Sequence, residues 1–331
     1  MKSTVEIFSE LGVRLAEFGS DEASRSVVTR AVAENEWFSV GDIRYAIEAV
    51  RSEMLDGNKV EKWLAHYPIS ATHTPKRVAI IMAGNIPLVG FHDLMCVIAS
   101  GNIPCVKPSS KDRVLEEYIE TLLLDIEPEL KIERYHEGDT YDAVIATGGD
   151  SANLYFSSIF DAIPSLLRGS RHSVAVLTGK ESKVSVELLA DDIFTYSGLG
   201  CRNVSLVFVP RGYKLSLPIR SMGRAYHNNY LQCRALLTMR GVEFVDSGEA
   251  VLVPSKSVEF PRFLSQINVV EYGSLDEVRD WLAVNDKSLQ CVTSVVEGLH
   301  SRCVPLGCAQ YPTLLDYADE RDTMQFLTKL D

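Results

Sequence analysis

The chain has 331 residues, 46% of them apolar and 24% charged, and carries a formal net charge of −12. That balance belongs to a globular protein with a large core and, by length, about two domains. The acidic excess excludes a general nucleic-acid-binding or anionic-membrane surface, since both partners repel it.

The first residues, "MKSTVEIFSELGVRLAEF", lack the continuous apolar core of a signal peptide. No stretch reaches about 18 apolar residues, so no membrane span is expected. Seven cysteines are scattered with no CxxC spacing. They fit reduced thiols in a cytoplasmic protein better than a disulfide framework. The histidines do not cluster with cysteines, so no metal site is expected.

Residues 1–73 read as helices. "VEIFSELGVRLAEF" repeats apolar residues three or four apart, and "SVGDIRYAIEAVRSEML" keeps that period behind Ser39, an N-cap residue type. They form a helical layer on the main body or an element that meets a partner or substrate.

The pattern changes at Thr74-Pro75. "RVAIIMAG" reads as a buried strand, "LVGFHDLMCVIASG" as a helix closed by Gly101, and "NIPCVKPSS" as a second strand. "KDRVLEEYIETLLLDI" is a second helix and "YDAVIATGG" a third strand. Short apolar strands alternating with helices predict a parallel sheet with right-handed crossovers. Ligands on such sheets bind beyond the carboxyl ends of the strands, here "AGNIP", "KPSS" and "ATGGDSAN".

Further on, "SVAVLTGKES" is a strand and turn, and "VSVELLADDIFTYSGLG" a helix leading to Cys201. "VSLVFVP" is a buried strand, and "KLSLPIRSMGRAYHNNYLQCRALLTMRG" is long and largely helical. "INVVEY", "LDEVRDWLAVN" and "LQCVTSVV" read as a second βαβ unit. Two α/β lobes with a cleft between them are the economical picture.

Within these loops, Asn85 ends a strand before a helix. Its amide is either a donor for a developing oxyanion or a turn residue bonded to local backbone. Lys107 ends the next strand, where it meets an anion or ribose or stays solvated. Ser109 or Ser110 is placed to cap the helix that follows. Gly148 and Gly149 permit close approach of a ligand or make a tight turn, with Asp150 and Ser151 as caps. Cys201, between "GLG" and Arg202, is a nucleophile whose thiolate Arg202 favours, or one more core cysteine. Cys96, Cys105, Cys233 and Cys291 sit in apolar patterns and read as core. No GxSxG elbow and no P-loop occur. A Cys–His hydrolase with His92, His172 or His227 as base has no supporting spacing.

Taken in order, "AGNIPLVGFHDLMCVIASGNIPCVKPSSKD", "ATGGDSANLYF", "SVAVLTGKES", "DIFTYSGLGCRNVSLVFVP", "LQCVTSVV" and "AQYPTLLDYADERDTMQFL" resemble the aldehyde dehydrogenase superfamily. More specifically, they resemble its acyl-CoA reductase (LuxC-type) branch. The resemblance runs over nearly the whole chain. It implies an α/β fold of two Rossmann-like lobes with a helical N-terminal region. It implies an NAD(P)-binding domain at 74–175, a catalytic cysteine domain at 176–305 and a C-terminal segment, 306–331, packed on the body.

It also implies roles: Cys201 as catalytic cysteine, Asn85 in the oxyanion hole, Lys107 and Ser109 on the adenosine ribose, and Gly148, Gly149 and Ser151 against the cofactor's phosphates and nicotinamide. The implied reaction is NADPH-dependent reduction of an acyl-CoA or acyl-carrier thioester to an aldehyde through a cysteine acyl-enzyme, with NADH as the other cofactor. Acylating oxidation of an aldehyde and a non-catalytic acyl- or nucleotide-binding relative are the alternatives. The implied partners are an acyl-protein synthetase and further copies of the chain. Hydrolytic aldehyde dehydrogenases carry a water-activating glutamate where this sequence has Val176, which suits a reductase; Glu181 is the nearest replacement. The chain is shorter than typical aldehyde dehydrogenases, which implies a reduced oligomerisation arm.

Overall fold

A computed structural model describes residues 2–69 and 74–330. Residue 73, the end of the expected helical region, lies outside the described residues. The chain forms two compact units: Met1–Ser170 with Tyr311–Asp331, and Arg171–Gln310.

The first unit begins with α1 (Thr4–Leu15), α2 (Glu22–Glu34), α3 (Val40–Met54) and α4 (Gly57–Leu64). Ser3 and Ser39 each close a capping box, the latter at the N-cap expected from sequence. Helices α1 and α2 pack on α6 (Arg113–Ile126), so the region is a layer over the sheet rather than a separate body.

The alternating segment follows: β1 (Arg77–Ile81), α5 (Phe91–Ala99), β2 (Ile103–Lys107), then α6, β3 (Glu133–Arg134), β4 (Ala143–Thr147), α7 (Asp150–Ile159) and β5 (Ser165–Arg168). Gly101 ends the α5 segment at φ 79°, a left-handed position that glycine takes without steric cost. The strands form one parallel sheet in the order β3-β2-β1-β4-β5, with Ile81 in register with Lys107 and Ala146. Alternate residues divide between two cores. Val78, Ile80, Val106 and Ile145 face the helical layer, and Ala79, Ile81, Cys105 and Val144 face a smaller aromatic cluster. Burial on both faces explains why these strands read as continuous apolar runs.

The C-terminal segment returns to this unit. Trp63 Nε1 donates to Tyr317 Oη at 2.7 Å, and Tyr67 Oη donates to Asp322 at 2.9 Å. In α11 (Thr323–Leu327), Thr323 Oγ1 accepts from Arg168 Nη2 at 2.7 Å, while Arg168 Nη1 pairs with Asp93 of α5. The pair is buried on both sides, so each charge depends on the other.

The second unit contains β6 (His172–Val176), α8 (Lys183–Phe194), β7 (Val204–Pro210), α9 (Arg224–Met239), β8 (Val245–Asp246), β9 (Val251–Pro254), β10 (Gln266–Tyr272), α10 (Leu275–Val284), β11 (Leu289–Ser294) and β12 (Cys303–Val304). Its sheet runs β12-β11-β6-β7-β10-β9-β8. Two sequence expectations are corrected here. The helix expected from residue 214 starts only at Arg224, because Pro218 removes an amide donor and Gly223 takes the N-cap position. Strands β10 and β11 flank the α10 connection but are not neighbours, since β6 and β7 lie between them. No helix among the described residues is long and apolar enough to cross a membrane.

Replacing Arg168 by Ala is expected to destabilise the first unit by about 3–5 kcal/mol, because Asp93 is then buried without its partner. Chemical denaturation followed by fluorescence measures it; Arg168→Ala with Asp93→Leu should recover most of the loss.

Candidate functional site

Parallel strands end at the same edge, so the loops after β1, β2 and β4 gather there. Asn85, half-buried, lies in the first; exposed Lys107 ends β2; half-buried Ser109 follows it; Gly148, Gly149 and Ser151 follow β4. The fold thus brings the five cofactor candidates and Asn85 to one edge of one sheet. Two loops touch closely. A Cβ on Gly84 would lie 2.5 Å from both Cβ and Oγ of Ser109, so only glycine fits where the Asn85 loop meets the Ser109 loop.

The capping expectations are corrected. Helix α6 has Asp112, not Ser109 or Ser110, at its N-cap, and Asp112 makes no cap hydrogen bond. Ser109 Oγ instead accepts from Lys111 N at 3.3 Å. Helix α7 starts from Gly149 with no side-chain cap, while Asp150 Oδ1 accepts from Ser170 N at 3.3 Å. An added Cβ on Gly149 would meet nothing within 4 Å, so this helix start is open.

Beside Lys107 lies a cavity of about 380 Å³ whose walls include Tyr135, Tyr141, Tyr155, Phe156 and Phe160. The rings of Tyr135 and Tyr141 stack with centroids 5.1 Å apart, and Lys107 Nζ lies 5.3 Å from the Tyr135 ring centre. The lysine is therefore held by a cation–π contact rather than waving in solvent. Sequence reasoning missed these aromatics, which are divided between the β3–β4 loop and helix α7 with its C-cap Phe160.

Cys201 is exposed, and its turn is unusual. Helix α8 stops at Phe194, short of the helical span expected, and Tyr196, Ser197 and Gly198 follow in left-handed conformations (φ 56°, 55° and 69°). Two of these are not glycine and are strained. Asn203 compensates. Its Nδ2 donates to the carbonyls of Asp192, Ile193 and Thr195 at 3.1, 3.2 and 2.8 Å, and its Oδ1 accepts from Gly200 N at 2.8 Å. Ser173 Oγ donates to the Cys201 carbonyl at 2.8 Å. The turn is fixed while the side chain it carries remains accessible. Arg202 Nη1 donates to Ala309 O at 3.4 Å, a backbone carbonyl.

The other thiols differ in kind. Burial pushes the Cys105 thiol up to about 11, and drives those of Cys96, Cys233 and Cys303 upward, which suppresses thiolate. Cys291 is buried; Cys308 is exposed, between two residues, Gly307 and Ala309, whose amides donate to the Asp192 carboxylate. Strand β6 ends at buried Val176. The Glu181 carboxylate accepts from Thr178 N, Thr178 Oγ1 and Gly179 N at 2.6, 2.8 and 2.9 Å, so it braces its own turn.

The sequence profile described as acyl-CoA reductase (LuxC) matches residues 44–218, more than half of the chain. The chain belongs to the acyl-CoA reductase (LuxC) family. No curated protein sequence matches significantly. Among solved structures, it is similar to aldehyde dehydrogenase 21 from Physcomitrella patens in complex with the reaction product succinate. That match has a TM-score of 0.71 at 11% identity, over 98% of this chain and 83% of that one. A mutant of aldehyde dehydrogenase C from Pseudomonas syringae, complexed with NAD+ and octanal, matches with a TM-score of 0.62 at 11% identity, over 90% and 72% of the two chains. The glyceraldehyde-3-phosphate dehydrogenase GapN from Methanocaldococcus jannaschii, complexed with NADP, matches with a TM-score of 0.61 at 12% identity, over 89% and 76%. This LuxC-family chain thus has the aldehyde dehydrogenase fold and is an aldehyde dehydrogenase-like oxidoreductase of the acyl-CoA/aldehyde class.

Asn203→Ala should lower stability by about 2–3 kcal/mol, since it leaves carbonyls and the Gly200 amide without their partner; the denaturation midpoint and amide exchange at Gly200 report it. A second expectation concerns pH. Burial pushes the Asp112 carboxyl up to about 8 from an ordinary value of 3.8. The stability it contributes is complete below pH 3.8 and is lost as pH rises through 8. The melting temperature of Asp112→Asn relative to the unsubstituted protein should therefore climb between pH 5 and 8 and level off above.

Proposed function

We propose that this enzyme reduces an acyl thioester, acyl-CoA or an acyl-carrier thioester, to an aldehyde through an acyl-enzyme on Cys201, with NADPH as the reductant. The observation that carries the reading is the Cys201 turn: an accessible thiol on a braced, strained segment in a chain whose family is acyl-CoA reductase.

The Cys201 thiolate attacks the acyl carbonyl and forms the new C–S bond. Asn85 and the Cys201 backbone N–H stabilise the oxyanion, which collapses with loss of the coenzyme A thiolate. The leaving thiolate takes up a proton from water. NADPH, when bound, supplies the hydride that converts the acyl group to an aldehyde and returns Cys201 as thiolate. The residues fit a dinucleotide: the aromatic cavity beside Lys107 suits a flat ring, and the uncrowded Gly149 start of α7 offers backbone amides to phosphate. Lys107 and Ser109 hold the ribose side, and Gly148, Gly149 and Ser151 the phosphate side; no carboxylate sits within "VKPSS" to repel a 2′-phosphate. NADH is the weaker alternative.

The missing base supports the reductive direction. Val176 cannot activate water, and Glu181 is held by three donors of its own turn, so the thioester is spared hydrolysis. We further assign the protein to the cytoplasm, as a homo-oligomer able to take acyl groups from an acyl-protein synthetase.

The test is mass spectrometry after mixing the protein with long-chain acyl-CoA and no reductant. One acyl group on the Cys201 peptide, discharged as aldehyde when NADPH is added, is the expected result, and Cys201→Ala should lower turnover by at least about 10³-fold. An acyl group on Cys308 instead, or aldehyde formation that survives in Cys201→Ala, would overturn the assignment.

A further inference from the structure

On the buried side of helix α6 lie three acids spaced four apart: Asp112 at its N-cap, Glu116 and Glu120. Glu120 pairs with Arg134 at 2.7 Å. The other two have no cation among the described residues. Asp112 Oδ1 and both Glu116 carboxyl oxygens are buried without a hydrogen-bond partner. Buried carboxyls of this kind cost stability, so their presence asks for a reason.

One bond supplies it. Asp112 Oδ2 accepts from the backbone N–H of Leu88 at 2.6 Å, across 24 residues of chain. Leu88 is buried and lies at φ 57°, a conformation leucine adopts at a cost. It stands three residues beyond Asn85, in the turn that joins β1 to α5. The turn is compact at both ends. Gly84 lies against Ser109, and a Cβ on Gly90 would meet the Met82 side chain at 2.6 Å. Asp112 also donates its own amide to Ser109 O at 3.1 Å. One residue therefore ties the Asn85 turn to the Ser109 loop.

We propose that Asp112 is a positioning residue: its carboxyl, acting as a hydrogen-bond acceptor, holds Leu88 in the left-handed conformation that aims the Asn85 amide. This inference rests on the oxyanion role given to Asn85 above. Asp112 itself touches neither thioester nor cofactor. Burial pushes its carboxyl up to about 8, so at neutral pH it is mostly the neutral acid, which an asparagine amide reproduces as an acceptor. The Glu116 carboxyl is driven upward by its own burial and by the charges of Asp112 and Glu120, which keeps the pair from ionising together.

Two variants separate positioning from packing. Asp112→Asn keeps the acceptor. Asp112→Leu keeps the branched heavy-atom outline, removes the acceptor and relieves the buried acid, which offsets its added bulk, so it should still fold and melt cooperatively. The acylation rate of Cys201 is measured at saturating acyl-CoA in single-turnover mixing, with NADPH affinity measured separately by fluorescence. Asp112→Leu is expected to slow acylation at least tenfold with KM and NADPH affinity within about twofold, and Asp112→Asn to stay within threefold. Acylation by Asp112→Leu at the unsubstituted rate, or Asp112→Asn as slow as Asp112→Leu, would overturn the proposal. If the unsubstituted protein does not acylate at all, the reading of the site fails, and amide exchange over residues 84–90 then decides. Faster exchange in Asp112→Leu but not in Asp112→Asn upholds the positioning role; equal exchange in all three rejects it.

Discussion

A parallel sheet has a direction. Each strand must be left by a crossover, so every loop that follows a strand emerges at the same edge. In the first unit this constraint, more than any single contact, gathers the candidate residues from positions far apart in the chain. Asn85 follows β1, Lys107 and Ser109 follow β2, and Gly148, Gly149 and Ser151 follow β4. The register of Ile81 with Lys107 and Ala146 brings the three exits level. The cores on the two faces of the sheet then do different work. The helical layer, sealed by Trp63, Tyr317 and the Arg168–Asp93 pair, supplies rigidity. The thinner aromatic face leaves a cavity beside Lys107.

The second unit presents its candidate cysteine in another way. The thiols of Cys96, Cys105, Cys233 and Cys291, on regular helices and strands, are buried, and that of Cys303 on the edge strand β12 is half-buried. Cys201 escapes because its backbone leaves α8 through consecutive left-handed residues. Such a path is unfavourable by itself and exists here because Asn203 satisfies the carbonyls that the broken helix exposes. Strain and exposure therefore have a common origin in one side chain two positions after the cysteine.

Local signals made much of this legible in the sequence. The apolar runs of β1, β2 and β4, the closing Gly101 and the Ser39 cap depend on a few neighbouring residues, and the order of motifs carried the family. What depended on distant partners was not legible. Ser109 and Ser110 have the chemistry of caps, yet α6 is preceded by Asp112, whose carboxyl is engaged with Leu88 instead. The helical period over residues 214–223 ignored Pro218 and Gly223. A strand–helix–strand pattern suggested neighbours, but β6 and β7 occupy the positions between β10 and β11. The aromatic cavity draws on Tyr135, Tyr141 and Phe156, which no short window joins.

The acids of α6 show how a correct rule misleads. Charged residues repeated every four positions normally mark the solvated face of a helix. Here Asp112, Glu116 and Glu120 share the buried side with Leu115, Ile119 and Leu123. Hydrophobic burial of the leucines and isoleucine supplies the driving force, and the acids are carried in with them. Burial then pushes the Asp112 and Glu116 carboxyls toward the neutral acid, whereas Glu120 keeps Arg134 as its partner. A neutral acid is still an acceptor. That is the property the Leu88 amide uses, and it explains how a residue that weakens the fold as pH rises can nonetheless fix the loop beside it.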